Sequence, residues 1–161
     1  MKFYITYFYN VRFFKSNQIP ISTAVWDPKW YHNGTADQTV CFIDKNNVMN
    51  GIKEEKLSPA TLEHVWCGPE CSQKSDVPDC CFLKAYHKYL QTVDFQYVIS
   101  ECARVSEEVR KVTKYIGEPE IVLLVHEKED NPCSERVPLQ EYFEANGIEL
   151  KNWTKPEGES L

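Results

Sequence analysis

The chain has 161 residues, of which 42% are hydrophobic and 13% aromatic, enough for one ordinary core and too few for two. A formal net charge of −6 excludes a general phosphate-backbone binder, because such proteins draw affinity from Lys/Arg stripes that release counterions. No apolar stretch approaches the roughly 20 residues that span a bilayer.

The N-terminal "MKFYITYFYNVRFF" is aromatic, is broken by Asn10 and Arg12, and has no small-residue cleavage pattern after it. It reads as a strand rather than a secretory signal, so a cytoplasmic protein is expected. Reducing surroundings would leave the seven cysteines for metal binding, catalysis or packing. They would also leave the sequons at Asn33 and Asn152 unused.

"KFYITYF" (2–8) is β-branched and aromatic and predicts a buried strand ending in a polar loop. "IPISTAVW" (19–26) predicts a second strand, Asp27-Pro28 a turn, and "TVCFID" (39–44) a third strand. Trp26, Trp30 and Tyr31, with His32 beside them, read as core aromatics. A short helix is expected at "SPATLEHVW", with Ser58 as N-cap and Pro59 in the first turn. "FLKAYHKYL" places Phe82, Leu83, Tyr86 and Leu90 at helical spacing. Asp94 then caps the clearest helix in the chain, whose stripe runs Phe95, Val98, Ile99, Cys102, Val105, Val109, Val112 and Ile116, with Gly117 ending it. "EIVLLVH" (120–126) is a continuous apolar run, the mark of a strand covered on both faces. A helix over about 137–145 and a last strand, "IELKNW" (148–153), complete the pattern.

Helix, buried strand, helix, strand implies a single three-layer α/β domain over 1–153 with a mainly parallel, Rossmann-like sheet. A cysteine-rich loop (64–87) interrupts it, and 154–161 form a flexible tail. Ligands in such folds bind beyond the carboxyl ends of the strands. "HEKEDNPCSERVP" lies at one of those ends.

In that loop Cys133 precedes a helix, where the helix dipole favours an anion or a thiolate, and Arg136 adds a planar fork suited to phosphate or carboxylate. Cys133 and Glu127 are therefore the candidate catalytic groups. Arg136, Ser134 and Glu135 are candidate ligand contacts, joined by Asn10 and Arg12 from the loop after the first strand. The competing reading makes Ser134 a helix cap, Pro138 a first-turn residue, Arg136 a partner of Glu135 or Glu127, and Cys133 packing.

The stretch "IVLLVHEKEDNPCSERVPLQEYFEANGIEL", with its hydrophobic strand, Glu127-Lys128 pair, Cys133 and Arg136 turn, helix and short final strand, resembles the C-terminal signature of domain of unknown function four-eight-eight, the YeaO-like family of bacterial and phage proteins. "YITYFYNVRFF" followed by "IPISTAVWDPKWY" is similar to the opening of that family. Ser134-Glu135 stand where a histidine is usual in the family. The resemblance implies no settled activity.

Cys67, Cys71, Cys80 and Cys81, with His64 just upstream, supply more than four soft or borderline donors in one aperiodic segment, which points to a structural zinc. The alternative is reduced thiols, some turned into the core.

Two functional readings follow. In the first, a cytoplasmic α/β protein binds an anionic small molecule or nucleotide-like ligand at the strand ends, with hydrolase or transferase chemistry at Cys133 or Glu127. In the second, it is a non-enzymatic, zinc-stapled interaction protein, a phage or prophage accessory.

Overall fold

The structure, a computed structural model, describes residues 1–32, 52–62, 81–131 and 134–156. The strand expected at 39–44 and the last four residues (63–66) of the helix expected after Ser58 lie outside the described residues, as does the cysteine-rich segment up to Cys80.

Four parallel strands form the sheet: β1 (Lys2–Tyr7), β2 (Gln18–Ser22), β3 (Glu120–Val125) and β4 (Lys151–Asn152), in the order β2-β3-β1-β4. β3 is central, with Leu123 opposite both Ile5 and Ile21. Successive strand residues face opposite sides of a sheet, and Ile121 through Val125 are all fully buried. Both faces are therefore covered, the three-layer arrangement expected of an unalternated "IVLLV" run.

The helices are α1 (Cys81–Leu90), α2 (Phe95–Thr113) and α3 (Arg136–Ala145). α2 buries Phe95, Val98, Cys102 and Val109 along one stripe, and Asp94 Oδ1 accepts from Gln96 N at 3.1 Å to satisfy its first turn. Its end departs from expectation. Lys114, at φ 58°, closes the helix three residues before Gly117, and Ile116 is 90% exposed. Beyond the cap, the Arg110 guanidinium donates to Tyr115 O at 3.2 Å and Gly117 O at 3.3 Å and lies 4.2 Å from the Tyr115 ring, which pins the turn that follows the helix.

α3 sets Leu139, Tyr142 and Phe143 into the core, where Phe143 meets Phe3 at 5.6 Å and Phe95 at 5.1 Å. Ser58 does not cap an α-helix. It ends one 3-10 turn (Glu55–Leu57) and precedes another (Pro59–Leu62), and its hydroxyl donates to Ala24 O instead. β2 stops at Ser22, so the expected continuation to 26 is absent; Thr23 Oγ1 bonds Leu124 O and the chain turns away. Trp26, expected in the core, is 76% exposed, whereas Tyr31 is fully buried and donates to the carbonyls of Pro20 and Ile52. Among the described residues no helix is long and apolar enough to cross a membrane.

Candidate functional site

The strand order fixes where a ligand crevice opens. β1 connects to β2 on one side of β3, while β3 connects to β4 on the far side of β1. The chain therefore leaves the neighbouring carboxyl ends of β1 and β3 in opposite directions, which parts the loops and leaves a concavity. A cleft of about 310 Å³ lies there. Its walls include Thr6, Tyr7 and Asn10 from the end of β1, Lys128 and its two acidic neighbours from the loop after β3, and Trp153 and Lys155 after β4, with Arg136 also lining it.

Arg136 is 4% exposed. Its Nη1 donates to Asn152 Oδ1 at 2.7 Å and more weakly to Ile5 O at 3.4 Å, and its Nη2 donates to Glu127 O at 2.9 Å. One guanidinium thereby ties the carboxyl ends of β1, β3 and β4 together. Its fork is already committed to protein acceptors, and it pairs with neither the Glu135 nor the Glu127 carboxylate. Burial lowers its pKa, while the charges of Glu129 and Glu127 act the other way. Its Nε is buried without a partner.

Ser134 is buried, accepts from Arg136 N at 3.1 Å and donates to Glu127 Oε2 at 3.4 Å. Glu135, not Ser134, occupies the N-cap position of α3 and its side chain makes no cap hydrogen bond, while Ser134, one position outside, satisfies an amide that a bound anion would otherwise have used. Glu135 as a residue is only partly covered, but its Oε2 is fully buried and has no hydrogen-bond partner among the described residues. Burial first, and then the charge of Glu127, push its pKa up to about 8, with Lys53 opposing. Lys53 donates to Val25 O at 3.2 Å and lies 3.9 Å from Asp27 Oδ1, which also accepts from Ser22 Oγ.

The sequence-derived candidates therefore divide. Asn10 and Arg136 line the cleft, and Asn10 Nδ2 donates to Thr6 Oγ1 at 2.8 Å. Glu127, Ser134 and Glu135 do not line it. Neither does Arg12, which donates to Tyr9 O at 3.0 Å and lies 3.8 Å over the Tyr9 ring. Cys133 lies outside the described residues, as do His64, Cys67, Cys71 and Cys80. Cys81 is disulfide-bonded, so in this form its sulfur offers a metal no thiolate. Among the described residues no group of three or more His, Cys, Asp or Glu side chains is placed to hold a metal.

Thr6, Lys155 and the Lys53–Asp27 pair were not singled out by sequence reasoning, and Lys128 entered it only through the family resemblance. A lysine in a polar loop carries no local sign of facing a cleft; the one available signal was position just after a predicted strand. No family model, curated protein or solved structure matches the chain.

Proposed function

We propose that the protein binds a small anionic molecule in the cleft between the carboxyl ends of β1 and β3. The observation that carries the reading is the cleft's charge: Lys128 and Lys155 stand in its walls above the buried Arg136 cation. Neither lysine forms an ion pair among the described residues, and each Nζ instead rests over a ring, Lys128 at 5.8 Å from Tyr7 and Lys155 at 4.7 Å from Phe13. Among the described residues neither ammonium group has a carboxylate partner, and with Arg136 the three cations outnumber the two carboxylates, Glu129 and Asp130, that also line the cleft, which favours an anion. Thr6 and Asn10 add a hydroxyl and an amide for orientation. Arg136 contributes its field and the shape of the cleft rather than a free fork. A catalytic part for Glu127 finds no support in its placement, because its carboxylate is turned to Ser134.

Thermal unfolding with and without pyrophosphate tests the reading, since a ligand that binds only the native state raises the melting temperature by mass action. Lys128→Ala with Lys155→Ala should abolish the rise and leave the unliganded melting temperature nearly unchanged. A rise of equal size in wild type and double variant, or none in either, overturns it.

A further inference from the structure

We infer that the anion this cleft accepts is a nucleoside phosphate, with Tyr7 as the platform for its base; the inference rests on the anion-binding reading above. The end of β1 and the turn after it build a layered stack of which Tyr7 lines the cleft. Tyr7 and Tyr9 lie nearly parallel, their centroids 5.9 Å apart and their planes 16° from each other, and Arg12 covers Tyr9 from 3.8 Å. Tyr9 is thus closed by a guanidinium at contact distance. Tyr7 is not: it lines the cleft, and among the described residues the cation over it is Lys128 Nζ at 5.8 Å, near the outer limit of about 6 Å at which a cation and a ring attract. A flat base stacks at about 3.5–4.0 Å, so it would displace a weak contact and release Lys128 toward a phosphate.

The remaining lining fits the rest of such a ligand. Glu129 and Asp130 stand beside Lys128 in the cleft wall, yet neither forms an ion pair among the described residues. Carboxylates are acceptors only, so they suit the hydroxyls of a ribose. Lys128 and Lys155 suit the phosphate. A bare phosphate would leave the tyrosine face and both carboxylates unused, and the cleft, at about 310 Å³, is far larger than a phosphate needs. The chain's net charge of −6 weighs against a polynucleotide, whose binding draws on many phosphate contacts.

Calorimetric titration with pyrophosphate, ribose 5-phosphate and adenosine 5′-monophosphate tests the assignment on the intact protein. Adenosine 5′-monophosphate should bind about ten-fold or more tighter than ribose 5-phosphate, the scale of one base stacked on an aromatic ring. Tyr7→Leu should remove that preference and Tyr7→Phe should keep it. Equal affinity for the two esters, or a preference that survives in Tyr7→Leu, overturns the base platform while the anion site stands. Failure of all three compounds to bind overturns both.

Discussion

Glu135 and Arg136 are chain neighbours at the start of α3, and both carry ionisable groups into the fold, yet the two sides of the helix they face treat them in opposite ways. On the β1–β4 side, Arg136 finds two main-chain carbonyls and the Asn152 amide oxygen. Glu135 Oε2, by contrast, finds no partner among the described residues and another carboxylate, Glu127, close enough to raise its pKa. Burying a charge is expensive unless acceptors or donors replace water. Arg136 is held charged by such replacements. Glu135 meets the same demand by keeping its proton, so its carboxyl is neutral where an ordinary one would be ionised.

The largest expected effect breaks the first half of that contrast. Arg136→Met keeps the volume and removes the donors, stranding Ile5 O, Glu127 O and Asn152 Oδ1. We expect a loss of roughly 3–4 kcal/mol in urea unfolding, because each hydrogen bond to a charged group contributes about 1.5–3 kcal/mol and water recovers only part. A loss under about 1 kcal/mol would show that the guanidinium does not staple the strand ends. The same variant is unsuitable for testing ligand binding, which is why the lysines carry that test.

Glu135→Gln probes the second half. The folded pKa of about 8 lies above the ordinary carboxyl value of 4.5, so the folded chain holds a proton that the unfolded chain has already released. The resulting stability is fully present below about pH 4.5 and is lost as pH rises through about 8. Between pH 5 and 9 the wild type should lose on the order of 3 kcal/mol relative to Glu135→Gln, whose neutral amide does not titrate. Parallel stability curves for the two proteins would mean that Glu135 is solvated and ionised like a surface carboxylate.

Asp94→Ala gives the smallest effect and calibrates the other two. Its carboxylate also meets a main-chain amide, that of Gln96, but in water. A cost of about 1 kcal/mol is expected, as for other N-caps. If it equals the Arg136 effect, burial is not what distinguishes the α3 residues.

Much of the architecture was legible because it depends on local period. "EIVLLV" could be only a doubly covered strand, "KFYITY" only a half or wholly buried one, and the 3.6-residue stripe from Phe95 to Val109 only a helix face. Those patterns place α1, α2, α3, β1 and β3 within a residue or two at most ends. Local reading failed where a distant group decided the outcome. Ser58 gave its hydroxyl to Ala24 O, Trp26 was left outside when β2 ended at Ser22, and α2 closed at Lys114, with Arg110 holding the turn that follows through Tyr115 O and Gly117 O.

The candidate site shows the same division. Sequence placed a polar loop with Arg136 beyond the central strand and put Asn10 in the facing loop, because both follow strands whose pattern was unmistakable. It did not determine that Arg136 would be spent on Ile5, 131 positions away, and on Asn152, 16 positions away, nor that Glu135 would be buried unpaired, nor that Lys128 and Lys155 would share a cleft. Apolar period is written into each segment and acts on that segment alone. The fate of a charge depends on which dipoles and charges other segments bring within a few ångströms, and only the folded arrangement of β1, β3, β4 and α3 supplies that.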